Sequence, residues 1–280
     1  MPLLARQDLS EPTPSTTAKP KGAKTSATAS SIQTAIQTGA AALPRPFDSS
    51  IGTNFTSSSC PDFFNDFLSN QTFNDCLPFS LLLQTSNSFF TASRSLVRLT
   101  QTLDATCKVN LDQCTAAMAS WAQEIKQTDR CGQDLEMENP VVTQAYNGFV
   151  SYKPLYQAAC LLDAGGNYCF ANAATNASAP TSSYIYYLPL GVELPGGSRP
   201  ACTTCLQNTM AVFAEAAANK SQPLSADYVG AAEQVQMTCG PSFVGAAVQI
   251  SAATPTTSSI ITSRSLGGLL ILSAILMTSL

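Results

Sequence analysis

The chain carries ten cysteines, and all of them lie between residues 60 and 239 of 280. They are Cys60, Cys76, Cys107, Cys114, Cys131, Cys160, Cys169, Cys202, Cys205 and Cys239. An even set confined to one segment reads as five disulfides formed in an oxidising compartment. Five cross-links restrict that segment to folds that bring distant chain positions together. Which cysteine pairs with which is not legible. Four N-x-S/T sequons, at Asn54, Asn70, Asn176 and Asn219, point to the same secretory route.

The cysteines punctuate helical patterns. Between Cys76 and Cys107 an apolar stripe runs through Leu82, Phe89, Ala92, Leu96, Leu99 and Leu103, with steps of three and four from Phe89 onward. This predicts one helix or a bent pair, weakest at Ser86, Asn87 and Ser88. Before it, Ser59, Pro61 and Asp62 suit a helix start, and Phe63, Phe64, Phe67 and Leu68 make its apolar face. After it, Leu111, Cys114, Met118, Trp121 and Ile125 repeat at helical spacing, with Gly132 as a stop. Asn139-Pro140 is a cap followed by a first-turn proline. Val141, Ala145, Phe149 and Tyr152 then share a face, and Pro154 ends or kinks that helix. Residues 171–200 break any regular pattern and predict a long ordered loop, with room for one short hairpin around Ile185, Tyr187 and Leu188. Two further helices follow, one carrying Cys202 and Cys205 and one capped by Ser225. No βαβ alternation is present. The expected class is all-α: a single disulfide-stapled multi-helix domain with a long ordered loop, flanked by disordered Ser/Thr-rich segments.

The flanks differ in composition. Residues 1–58 are rich in Ser, Thr, Pro and Ala and cannot bury enough apolar surface to offset their ordering entropy. They predict a disordered arm. No apolar run follows the start MPLLARQ, so the secretory reading carries the expectation that a signal peptide is missing from this sequence. The domain is expected over 59–245 and a polar spacer over 246–265. Residues 266–280, LGGLLILSAILMTSL, are apolar, uncharged and shorter than the roughly 20 residues a membrane helix needs. Small residues Ser251, Ala252 and Ala253, a polar spacer and a terminal apolar tail form the layout of a GPI-attachment signal, with Ser251 the expected attachment residue and Ala252 or Ser258 the alternatives.

Charge and side-chain inventory exclude several chemistries. From 57 to 250 there are eight basic and fifteen acidic residues, a net of −7. That balance suits no nucleic-acid backbone. There is no histidine, so the ordinary triad base and the commonest neutral metal ligand are both missing. CTTC at Cys202–Cys205 has the spacing of a redox motif but lacks a preceding strand, and structural bridges are the expectation. No metal and no cofactor are expected. A polysaccharide hydrolase would need two facing carboxylates, and Asp62, Asp66, Asp104, Asp112, Asp134, Glu136 and Glu138 are the candidates. Most fit helix starts or plain surface charge. Tyr184, Tyr186 and Tyr187 in the long loop are candidate ligand contacts, or anchors of the loop to the core.

The stretches CLPFSLLLQTSNSFF, SLVRLTQTLDATC, NPVVTQAYNGFVSYKPLYQAACL, YYLPLGVELPGGSRPACTTCLQNTM and MTCGPSFV resemble a family of fungal secreted or surface-anchored proteins whose central domain has no assigned function. The resemblance spans about residues 60–244. It implies a disulfide-rich domain, a leader peptide and often a lipid-anchored end, and it implies no catalytic residue. The expected function is that of a non-catalytic, GPI-anchored glycoprotein of the cell surface or wall, structural or adhesive. Its partners would be the outer leaflet of the plasma membrane, through the GPI lipid, and cell-wall polysaccharide. The alternatives are a carbohydrate- or small-ligand-binding module and a polysaccharide-acting enzyme.

Overall fold

Short helices dominate because capping side chains and prolines interrupt the chain often. The computed structural model describes residues 42–246 and residue 248. Among them are twelve α-helices and one 3-10 helix, and the only β pairing is an isolated bridge between Leu162 and Tyr168. The expected all-helical class holds.

Helix α1 (Ser59–Ser69) is parted from α2 (Gln71–Cys76) at Asn70, whose Oδ1 accepts from the Phe73 N–H at 3.2 Å. Such a cap satisfies a donor that the helix leaves open. Leu77 closes α2 at φ 42°, just ahead of Pro78. The 76–107 stretch is three helices, not one or a bent pair: α3 (Phe79–Thr85), α4 (Asn87–Ala92) and α5 (Leu96–Thr106). The first break falls at the predicted weak point, where the Ser86 hydroxyl accepts from the Phe89 N–H. The second, at 93–95, left no proline or glycine to betray it.

Asn110 caps α6 (Leu111–Glu124), and the short α7 (Gly132–Glu136) follows. In α8 (Pro140–Val150), Asn139 caps and Pro140 takes the first position, as its dipeptide predicts. The buried residue beside the cap is Val142, whereas Val141 is half-buried. Helix α8 ends at Val150, as Pro154 predicts: proline has no N–H for that carbonyl, which accepts from the Gln222 side chain instead, and Pro154 itself lies in the first turn of α9 (Tyr152–Ala159).

Beyond α10 (Cys169–Ala174) the expected loop is partly helical. Residues Pro180–Leu190 form the 3-10 helix, so Ile185, Tyr187 and Leu188 belong to no hairpin. Ile185, Tyr186 and Leu188 are all buried, because this helix is covered on more than one side, and that burial mimicked a strand pattern. Helix α11 (Thr204–Ala217) begins after Cys202, with Thr203 as its cap. Helix α12 (Leu224–Cys239) starts after Pro223, and Ser225 donates to Lys220 O instead of capping.

Two hydrophobic clusters form within this unit. The first is aromatic: Phe63, Phe64, Phe67, Phe73, Phe149 and Tyr152, with Met118 and Ile125. The second gathers Leu99, Leu103, Leu155, Met210 and Tyr228 with a run of rings, Phe89, Phe79, Phe170, Tyr186 and Phe213, and with small residues such as Ala158, Ala217 and Ala232. Helix α3 serves both, turning Leu81 to the first and Phe79, Leu82 and Leu83 to the second. Its approach to α8 needs a glycine, since a Cβ on Gly148 would run into Leu81 Cδ2.

All ten cysteines are paired. Cys60–Cys131 and Cys76–Cys114 brace the aromatic cluster. Cys169–Cys205 and Cys202–Cys239 tie α10 to α11 and the approach of α11 to the end of α12. Cys107–Cys160 links the ends of α5 and α9.

The folded unit begins earlier than residue 59. Pro44 and Pro46 are buried, and Phe47 donates its N–H to Thr85 O at 2.9 Å. The Phe47 and Phe55 rings lie 5.2 and 5.9 Å from Phe64. The Asp48 carboxylate accepts from the Asn87 and Ser88 N–H groups at 2.8 and 2.9 Å, capping α4 from outside its own chain segment. Asp134, 1% exposed, accepts from the Thr56 and Ser57 N–H groups at 2.6 and 3.0 Å. Composition misled here because a few rings and two carboxylates anchor an otherwise polar segment. At the other end the chain packs past 245: Tyr228 donates to Gly245 O at 2.7 Å, and Val248 lies against the second cluster.

Candidate functional site

The chain turns back on itself after α9, and the elements that follow do not close completely. A cleft of ≈ 590 Å³ opens between the 162–165 turn, α10, the 3-10 helix and the start of α11. That volume lies within the roughly 300–1,000 Å³ of clefts that enclose small ligands. Ile185, Tyr186, Leu206 and the Cys169–Cys205 bridge supply its apolar wall. Asn172, Asn176, Asn208, Ser182, Thr203 and Thr204 supply neutral polar groups.

The bridge explains the geometry. Cys205 sits in the first turn of α11, so its bond to Cys169 pins that turn over the start of α10. The neighbouring Cys202 bonds away, to Cys239. The two cysteines of CTTC therefore hold different partners, as the structural reading of that motif expects.

Among the described residues no lysine or arginine lines the cleft, and Asp163 is the one carboxylate there. Bonds from the Asn167 N–H and the Asn172 side chain, with lesser help from the Gly165 N–H, hold Asp163 below the usual carboxylate range. Tyr186 is pushed up to about 12 by burial, against a smaller opposite effect of its 3.2 Å contact with Thr209 Oγ1. Near neutral pH the carboxylate stays charged and the phenol stays neutral, so neither exchanges a proton readily. The arrangement can hydrogen-bond a neutral polar ligand against an apolar wall.

The three tyrosines part company. Tyr186 is 3% exposed and lines the cleft wall, Tyr187 is half-buried against the second cluster, and Tyr184 is 43% exposed away from the cleft. Only Tyr186 is placed to meet a ligand there.

Three of the seven candidate carboxylates are held by separate partners. Asp66 pairs with Arg130 at 3.1 Å, Asp104 accepts from the Tyr168 hydroxyl at 2.9 Å, and Asp134 clamps residues 56 and 57. None of the seven lines the cleft, nor a smaller recess of ≈ 320 Å³ between residues 47–51, α3 and α4. Among the described residues no cluster of three or more metal-ligating side chains occurs. No helix among them is long and apolar enough to cross a membrane. Ser251 and the 266–280 tail lie outside the described residues.

Of the four sequons, Asn54, Asn70 and Asn219 are exposed, and Asn176 is half-buried at the cleft wall. Asp163, Asn172, Thr203 and Asn208 were not legible as a site. They come from three elements, and no spacing joins them.

A family model described as a domain of unknown function (DUF7729) matches residues 42–248. No curated protein and no solved structure matches the chain. The matched range coincides with the packed unit, from the buried Pro44 to Val248, and contains both clusters, all five bridges and the cleft. The chain therefore belongs to the DUF7729 family.

Proposed function

We propose that this protein is a non-catalytic, GPI-anchored glycoprotein of the cell surface or wall, with a structural or adhesive role. One observation carries the reading: every cysteine in the chain is used in a bridge. A domain that commits all its thiols to cross-links suits an oxidising compartment, where such bonds persist. The sequons and the Ser251-spacer-tail layout support the same route. The non-catalytic part is supported by the two clefts, neither of which brings together a carboxylate pair. In the fungal setting that the sequence resembles, cell-wall polysaccharide is the partner class.

The test is treatment of intact cells with a phosphatidylinositol-specific phospholipase. Release of protein lacking residues 266–280 is the expected result. Retention of an intact C-terminus on the membrane would sink the anchoring. The second reading, a carbohydrate- or small-ligand-binding module, draws on the neutral amides and hydroxyls of the ≈ 590 Å³ cleft. What fills that cleft decides between them.

A further inference from the structure

One sequon stands apart. Asn176 lies in the turn between α10 and the 3-10 helix and forms part of the cleft wall. Its Oδ1 accepts from the Ser178 and Ala179 N–H groups at 3.0 and 3.1 Å. That leaves the Nδ2 as the free end of the side chain. The other three sequons are exposed, and none lines either cleft.

The cleft suits what a sequon would carry. The first sugar of an N-linked glycan is N-acetylglucosamine, a neutral residue with an acetamido group, hydroxyls and an apolar ring face. Asn172, Asn208, Thr203 and Thr204 offer hydrogen-bond partners for the amide and hydroxyls, and Leu206 and Ile185 offer an apolar wall. Among the described residues no lysine or arginine lies in the lining, so an anionic ligand would find no cation there to pair with. A ligand tethered at the rim also has a high effective concentration, so it outcompetes a free sugar of equal affinity.

We propose that the glycan on Asn176 folds back into the cleft and occupies it as an intramolecular saccharide ligand. The inference rests on the secretory reading above. In its attachment the Asn176 Nδ2 bonds to the anomeric carbon of a lipid-linked oligosaccharide, the lipid diphosphate leaves, and the amide loses one proton. The cleft is then part of the glycoprotein's own structure and is closed to outside sugars.

The experiment uses the full chain made in a secretory host. The native protein is digested with an endoglycosidase that cuts between the two core sugars, and each site is followed by glycopeptide mass spectrometry. Trimming at Asn176 is expected to be about tenfold slower than at Asn54, Asn70 and Asn219, since cutting must await a local opening. Denaturation should abolish the difference. Asn208→Trp, an exposed change on the cleft wall, should expel the sugar and bring Asn176 up to the rate of the others. Occupied exposed sequons with Asn176 bare, or trimmed as fast as they are, would overturn the proposal alone. A difference that survives Asn208→Trp would also overturn it, by showing that the protection is not the cleft's. Occupancy at none of the four would overturn the secretory reading and this proposal together.

Discussion

The ring cluster around Phe67 and the alanine-lined packing of α11 on α12 solve the same problem in different ways. Around Phe67, the rings of Phe63, Phe64, Phe73 and Phe149 sit with centroids 5.0–5.4 Å away, mostly tilted or edge-on. Large rings bury much area per residue and tolerate irregular neighbours. That is why a non-helical segment can dock there through Phe47 and Phe55. In the other cluster α11 packs on α12, with Ala217, Ala231 and Ala232 buried. Small side chains let helices approach but fill less volume. There the chain leans on two bridges close together, Cys169–Cys205 and Cys202–Cys239, and leaves a cleft beside one of them. Irregular backbone is recruited against the rings on one side, and the larger of the two clefts is kept on the other.

The largest expected effect tests whether the rings act as one core. Phe67→Ala should cost about 3–5 kcal/mol, because five aromatic neighbours lose a common partner. It should also loosen residues 42–58, read as faster amide exchange there. A loss confined to α1 would break the comparison.

The bridges come next. Replacing the Cys60–Cys131 pair by alanines should cost about 2–5 kcal/mol. Its sequence separation is 71, against 36 for Cys169–Cys205. Doubling the loop adds about 0.6 kcal/mol, so the aromatic side should lose that much more than the cleft side under chemical denaturation. The reverse order would mean that the unfolded chain retains structure around the first bridge.

Ala232→Leu should overpack the contact of α11 with α12 by about 1–3 kcal/mol, seen in thermal unfolding with the bridges intact. A neutral result would mean that α11 and α12 can part more easily than their alanines suggest.

The smallest effect concerns the docked segment. Burial would raise the Asp48 pKa, but the bonds from the Ser88 side chain and N–H, the Asn87 N–H and the Ser86 hydroxyl outweigh it, so the folded value is lowered. A lowered carboxylate stabilises the fold above its unfolded pKa of about 3.9 and loses that contribution as pH falls through the folded value. Asp48→Asn should cost about 1 kcal/mol at neutral pH, the size of a lost cap. The gap between the variant and the native chain should narrow below about pH 4. A gap independent of pH would assign Asp48 a neutral role.

Local chemistry made much of this protein readable without coordinates. Helical periodicity, the Asn139-Pro140 start and the Ser86 break depend on residues within a turn of one another, so spacing alone carries them. The clustering of ten cysteines likewise implied stapling whatever the partners. The pairing of those cysteines, the two clusters, the docking of residues 42–58 through Phe47, Asp48 and Asp134, and the cleft were decided in tertiary structure. Each depends on groups far apart in the chain, such as Asp134 with Thr56 or Asn172 with Asn208. No local pattern encodes such contacts, because they form only when packing has already set the helices in place.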